Sequence, residues 1–108
     1  MTGTRTPEGR VKEKTKKIIA QFNDIWTHWP VQTGYGEPTL DCIGSRKSHS
    51  FAIETKAPGK KLTPRQNLTR EKMKRGGVTV FVVGEYDHDS TVYPYSGMKE
   101  LNIWLLGL

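Results

Sequence analysis

Val11, Thr15, Ile18, Ile19, Phe22, Ile25 and Trp26 recur at three- and four-residue spacing, which predicts an amphipathic first helix of about five turns. Thr6 and Pro7 supply its cap and first helical position. Beyond the helix the pattern shortens to strand-like runs over 29–33, 39–43 and 50–56. Gly34, Tyr35, Gly36, Glu37 and Pro38 form a loop between the first two runs, and the polar stretch 44–49 a hairpin loop between the next two. Residues 57–62 connect to a second helix that opens with Thr63-Pro64-Arg65-Gln66, a capping box with proline at the first turn. That helix is expected to end near Arg75, before Gly76-Gly77. The apolar run 78–83 predicts a strand buried on both faces. An acidic turn over 84–90, a short edge strand over 91–95 and a final helix over 98–106 complete the chain. The second helix separates the strands around Glu54 and Val80, so those two should run parallel with a right-handed connection. The expected class is α/β, a mixed sheet with helices on its faces, in one domain spanning 1–108 with its core over 6–83 and an extension over 84–108.

Charge adds a partner to this outline. The chain carries 17 Lys and Arg against 11 Asp and Glu, a net +6, which points to a polyanion. The excess sits in two blocks, Arg5 to Lys17 and Lys56 to Arg75, while the last third is acidic. Charged helix faces are often merely solvated, but two basic blocks flanking one hairpin suit a protein that grips phosphates. Cys42 is the only cysteine, so no internal disulfide forms, and its apolar neighbours Leu40 and Ile43 mark it as a buried structural thiol. The apolar runs are too short for a membrane span, and a soluble, cytoplasmic protein is expected. His28, His49 and His88 have no zinc-ligand spacing with one another or with Cys42. Tyr93 and Tyr95 read as packing residues.

The hairpin carries the chemistry. Glu54 and Lys56 are two apart on one strand and so share a face, and Asp41 on the preceding strand can join them. Two carboxylates for a hard cation, with an ammonium alongside, suit metal-assisted phosphodiester hydrolysis. On spacing alone, a surface ion pair across a hairpin, worth under about 1 kcal/mol, explains the same residues. Glu8 lies on the core-facing line of the first helix, where either the positive helix end or a buried site accounts for it.

The stretches Thr6-Pro7-Glu8, Leu40-Asp41-Cys42-Ile43-Gly44, Phe51-Ala52-Ile53-Glu54-Thr55-Lys56 and Leu62-Thr63-Pro64-Arg65-Gln66, then Gly77 and Phe81-Val82-Val83, resemble the VRR-Nuc family. These virus-type replication-repair nucleases belong to the PD-(D/E)xK superfamily, and the likeness is closest to small stand-alone members from bacteriophages. One departure is Leu40, where the pattern usually has proline; Pro38 stands two residues earlier. The resemblance implies a core of helix, three-stranded meander, helix and strand, with a short C-terminal strand and helix. It implies Mg2+ or Mn2+ on Asp41, Glu54 and the backbone carbonyl of Thr55, with Lys56 orienting water or stabilising charge. It implies a metal-site or supporting role for Glu8, and an active-site place for Gln66 that competes with the capping box for one side chain.

Lys12, Arg46, Lys47, Lys60, Lys61 and Arg65 are candidate DNA contacts, without any sequence-reading pattern. Gly34-Tyr35-Gly36 either admits the nucleic acid or is an ordinary turn. The resemblance further implies DNA hydrolysis on branched substrates such as four-way junctions, a homodimer, and the host cytoplasm if the chain is phage-encoded. The apolar tail, Leu101, Ile103, Trp104, Leu105, Leu106 and Leu108, either forms such a dimer interface or, more economically, covers its own sheet. The alternatives are a non-catalytic nucleic-acid-binding module and a restriction-type endonuclease; the short chain leaves little for base reading.

Overall fold

The computed structural model describes residues 6–31, 39–86 and 91–108. Helix α1, Pro7–Ile19, starts at Thr6, whose hydroxyl accepts the Gly9 amide at 3.0 Å. It ends well short of the expected five turns. Asn23 and Asp24 favour turns over helix, and Asp24 is held outside it by Arg46 at 2.7 Å. Phe22 and Ile25 continue the helical spacing only by coincidence, and both pack on the core from beyond the helix.

Strand β1 is therefore Ile25–His28, not 29–33; residues 29–31 follow the strand, and 32–33, like the loop around Gly34 to Pro38, fall outside the described residues. Strand β2, Cys42–Arg46, starts and ends about three residues later than expected. Lys47 and Ser48 both adopt positive φ, 49° and 68°, and close a two-residue turn to β3, His49–Thr55. Gly44 is thus a strand residue, not a turn. A Cβ there would meet the Trp26 carbonyl at 2.5 Å and the Phe51 ring at 2.7 Å, so only glycine lets these neighbours approach.

Helix α2, Pro64–Arg75, has the full capping box, with the Thr63 hydroxyl accepting the Gln66 amide and the Gln66 side chain accepting the Thr63 amide. Strand β4, Thr79–Val83, and helix α3, Met98–Leu106, complete the elements. The strands lie in the order β1-β2-β3-β4, antiparallel except for the parallel β3–β4 pair. β4 is an edge strand and half-buried, so the fully covered strand is β3, where Phe51 to Thr55 are all buried. Over 91–95 an isolated bridge at Tyr95 stands in place of the expected strand, and Tyr93 and Tyr95 pack on the core. The described residues make a compact α/β fold, three helices on a four-stranded mixed sheet.

Strand alternation gives the sheet two different faces. On one, Cys42, Phe51, Ile53 and Val83 meet Val11, Ile18 and Ile19 of α1 and Met98, Leu101 and Leu105 of α3. α3 thus covers its own sheet, with Trp104 and Leu108 packed on the same core and Ile103 and Leu106 exposed. On the other face stand Ile43, Ala52 and Glu54, with α2 against β4. Cys42 is fully buried, and burial pushes its thiol up to about 12, as a structural cysteine requires.

α1 presses on the sheet where β3 and β4 end. Gly84, at φ +96°, has the Lys56 carbonyl 2.1 Å and a Val11 methyl 2.8 Å from where a Cβ would stand. Gly84→Ala is expected to cost about 2–4 kcal/mol, from left-handed strain plus overpacking, read as a lower urea midpoint with unchanged slope.

Candidate active site

Asp41 immediately precedes β2, and Glu54 and Lys56 lie at the carboxyl end of β3, so the hairpin register brings them to one end of the sheet. Glu54 Oε1 accepts the Asp41 amide at 3.2 Å, closing the hairpin across its open end. Asp41 Oδ2 accepts both the Thr55 amide, at 2.9 Å, and the Thr55 hydroxyl, at 2.8 Å. Thr55 is fully buried, so the two bonds hold the Asp41 carboxylate in one orientation. The expectation for Thr55 concerned only its carbonyl. Its hydroxyl was not legible, because alternation assigns that side chain to the core face.

Gln66 joins the rest. Its Nε2 donates to Glu54 Oε2 at 2.9 Å, and its Oε1 accepts Lys56 Nζ at 3.2 Å and the Thr63 amide at 2.9 Å. The cap and the site do not compete as expected. One amide serves both, because its oxygen has two lone pairs and its nitrogen is left for Glu54.

Glu54 is only 4% exposed, which removes it from any surface ion pair. Burial, and then the neighbouring Asp41 charge, push its carboxyl up from 4.5 to about 8, against the smaller opposing pull of the Asp41 amide and Lys56. Glu8 contributes to the same rise, so its charge is felt at the site from the first turn of α1. Among the described residues, no group of three or more His, Cys, Asp or Glu side chains is placed to hold a metal ion, and the two acidic residues joined directly at the hairpin end are the pair Asp41 and Glu54. A hard divalent cation fits that pair. Mg2+ commonly takes one or two carboxylates and keeps waters or phosphates for its other positions, and a cation relieves the repulsion that raises Glu54.

The basic candidates divide. Lys60 and Lys61, in the loop after β3, and Arg65, in the first turn of α2, are exposed beside the site. Lys12 is one helical turn beyond Glu8, with its ammonium 6.0 Å from the Trp29 ring. Arg46 and Lys47 are at the turn end of the hairpin, about 16 Å from Asp41 at 3.3 Å per residue. Arg46 is tied into the fold on three sides. It bonds Asp24 at 2.7 Å and the Leu105 carbonyl, and lies 4.5 Å over the Phe22 ring. Lys47 donates to the Leu108 carbonyl at 3.0 Å. Both tie α3 to the hairpin. Leu40, which replaces the usual proline, is fully buried, whereas Pro38 lies outside the described residues.

Comparison with family models, curated proteins and solved structures gave no match.

Because its folded-state carboxyl is raised, Glu54 binds a proton more tightly in the folded chain between about pH 4.5 and about 8. Its contribution is fully present below the lower value and is lost as pH rises through the upper one. In EDTA, Glu54→Gln is expected to gain stability on wild type steadily from pH 5 to 8, seen in paired urea melts. Arg46→Ala should cost about 1–3 kcal/mol at every pH in that range, through loss of its anchoring bonds.

Proposed function

We propose that the chain is a divalent-cation-dependent endonuclease that hydrolyses DNA phosphodiesters on a VRR-Nuc-type PD-(D/E)xK core. The observation that supports it best is the carboxylate pair Asp41 and Glu54, with Glu54 buried and pushed up to about 8, beside Lys56 and Gln66. A raised pKa from burial and a like charge is typical of functional sites. The element order, helix, three-stranded meander, helix and strand, is compatible with that core.

When bound at the pair, Mg2+ or Mn2+ supplies a water of lowered pKa and neutralises charge on the phosphate. Asp41, fixed through Thr55, and Glu54, fixed through Gln66, present oxygen ligands with little reorganisation. Lys56, steered by Gln66, donates to a phosphate oxygen as negative charge develops. Lys60, Lys61, Arg65 and Lys12 hold the backbone without reading sequence. Preference for branched DNA and a homodimer rest on the family resemblance alone. For the dimer, a 12.3 kDa monomer by light scattering at high concentration would count against it.

The second reading, a non-catalytic binding module, has no use for two carboxylates facing phosphates. The test is cleavage of a labelled four-way junction and a matched linear duplex, in Mg2+, Mn2+ and EDTA. Wild type is expected to cut only with metal, Glu54→Ala to lose cutting, and Lys56→Ala to slow by about 10²–10³-fold. Tight binding of both DNAs with no cutting in any metal would favour the binding module.

A further inference from the structure

From Glu54 the same sheet face continues across β2 and β1 through Ile43, Ser45, His28 and Trp26. α2 packs on the far side, against β4. Trp26 is 58% exposed and His28 is also exposed, on alternate residues of β1. Their rings are near-parallel, 13° apart, with centroids 6.4 Å from each other. That separation matches the two-residue repeat of a strand, about 6.6 Å. The rings are therefore parallel because the strand displays them on one face, and both leave π-surface open to solvent. Trp29, the residue after β1, packs toward the core and α1, where two cations face its ring, Lys16 with its ammonium 4.8 Å away and Lys12 at 6.0 Å.

Isolated exposed aromatics are common and carry no meaning by themselves. Here two parallel rings share one face with the carboxylate pair, and a cationic flank stands at the end of the same edge strand. A duplex keeps its base faces in its own stack, whereas unpaired nucleotides offer theirs to aromatic side chains and their phosphates to lysines. We propose that Trp26 and His28 form a stacking site for unpaired nucleotides, with Lys12 and Lys16 taking the adjoining phosphates. Its relation to a scissile phosphate rests on the nuclease reading above; the site itself does not.

The test is fluorescence anisotropy in EDTA with labelled oligothymidine, a blunt duplex, and the same duplex carrying a thymidine tail. Trp26→Ala is expected to weaken oligothymidine and tailed duplex by about tenfold, and the blunt duplex by less than about twofold. His28→Ala should give a smaller loss on the same two ligands, and Trp26→Phe should keep most of the binding. Equal weakening on all three ligands, or none, would overturn the stacking site. So would light scattering in which wild type associates and Trp26→Ala does not, since the face would then join copies of the chain. Unchanged thermal midpoints establish that the variants are folded. Cutting of both duplexes with metal is scored in parallel. Cutting with unaltered Trp26→Ala binding removes the stacking site and leaves the nuclease. Selective loss of tail binding with no cutting keeps the stacking site and removes the nuclease reading.

Discussion

The burial of one carboxylate at the end of the central strand organises the site. Glu54 lies on β3, the strand covered on both sides, where a charge without compensation is costly. The fold meets part of that cost with two hydrogen bonds, from the Asp41 amide and the Gln66 side chain, and the remainder holds the carboxyl up at about 8. Each donor ties down a different element. The first closes the β2–β3 hairpin across its open end, and the second fixes the start of α2 against β3. The Gln66 oxygen also caps its own helix, so one side chain serves both the helix start and the carboxylate.

The two faces of the sheet divide the work. One is filled by α1 and α3 and contains most of the apolar core. The other carries Glu54, has α2 packed against β4, and ends at the exposed rings of β1. At the hairpin's turn, Arg46 and Lys47 fasten α3 by its carbonyl end, so the charges there serve the fold. At the other end Lys60, Lys61 and Arg65 stay exposed around the carboxylates. The same type of charge is thus tied down at the turn of the hairpin and left exposed beyond its open end.

Local chemistry made much of this legible. Thr63-Pro64-Arg65-Gln66 marks the start of α2, and the spacing of Asp41, Glu54 and Lys56 places those three side chains at one end of the sheet. What failed was longer-range. Helical spacing ran past Ile19 because Phe22 and Ile25 fall on its period by chance. Gly44 looked like a turn because its partners, the Trp26 carbonyl and the Phe51 ring, are distant in sequence. Arg46 looked like a DNA contact because a sequence shows a charge but not the Asp24 that neutralises it. The Thr55 hydroxyl escaped notice because Asp41 wraps around the strand end to reach it.

The claim that Asp41 and Glu54 form one cation site is tested most directly by calorimetric titration of Mn2+ into the chain at pH 7, in two buffers of different ionisation enthalpy. With its carboxyl at about 8, Glu54 begins mostly protonated, so binding should release close to one proton per ion. Glu54→Gln should lose both the proton release and most of the affinity. Binding that releases no proton, or that survives in Glu54→Gln unchanged, would contradict the site.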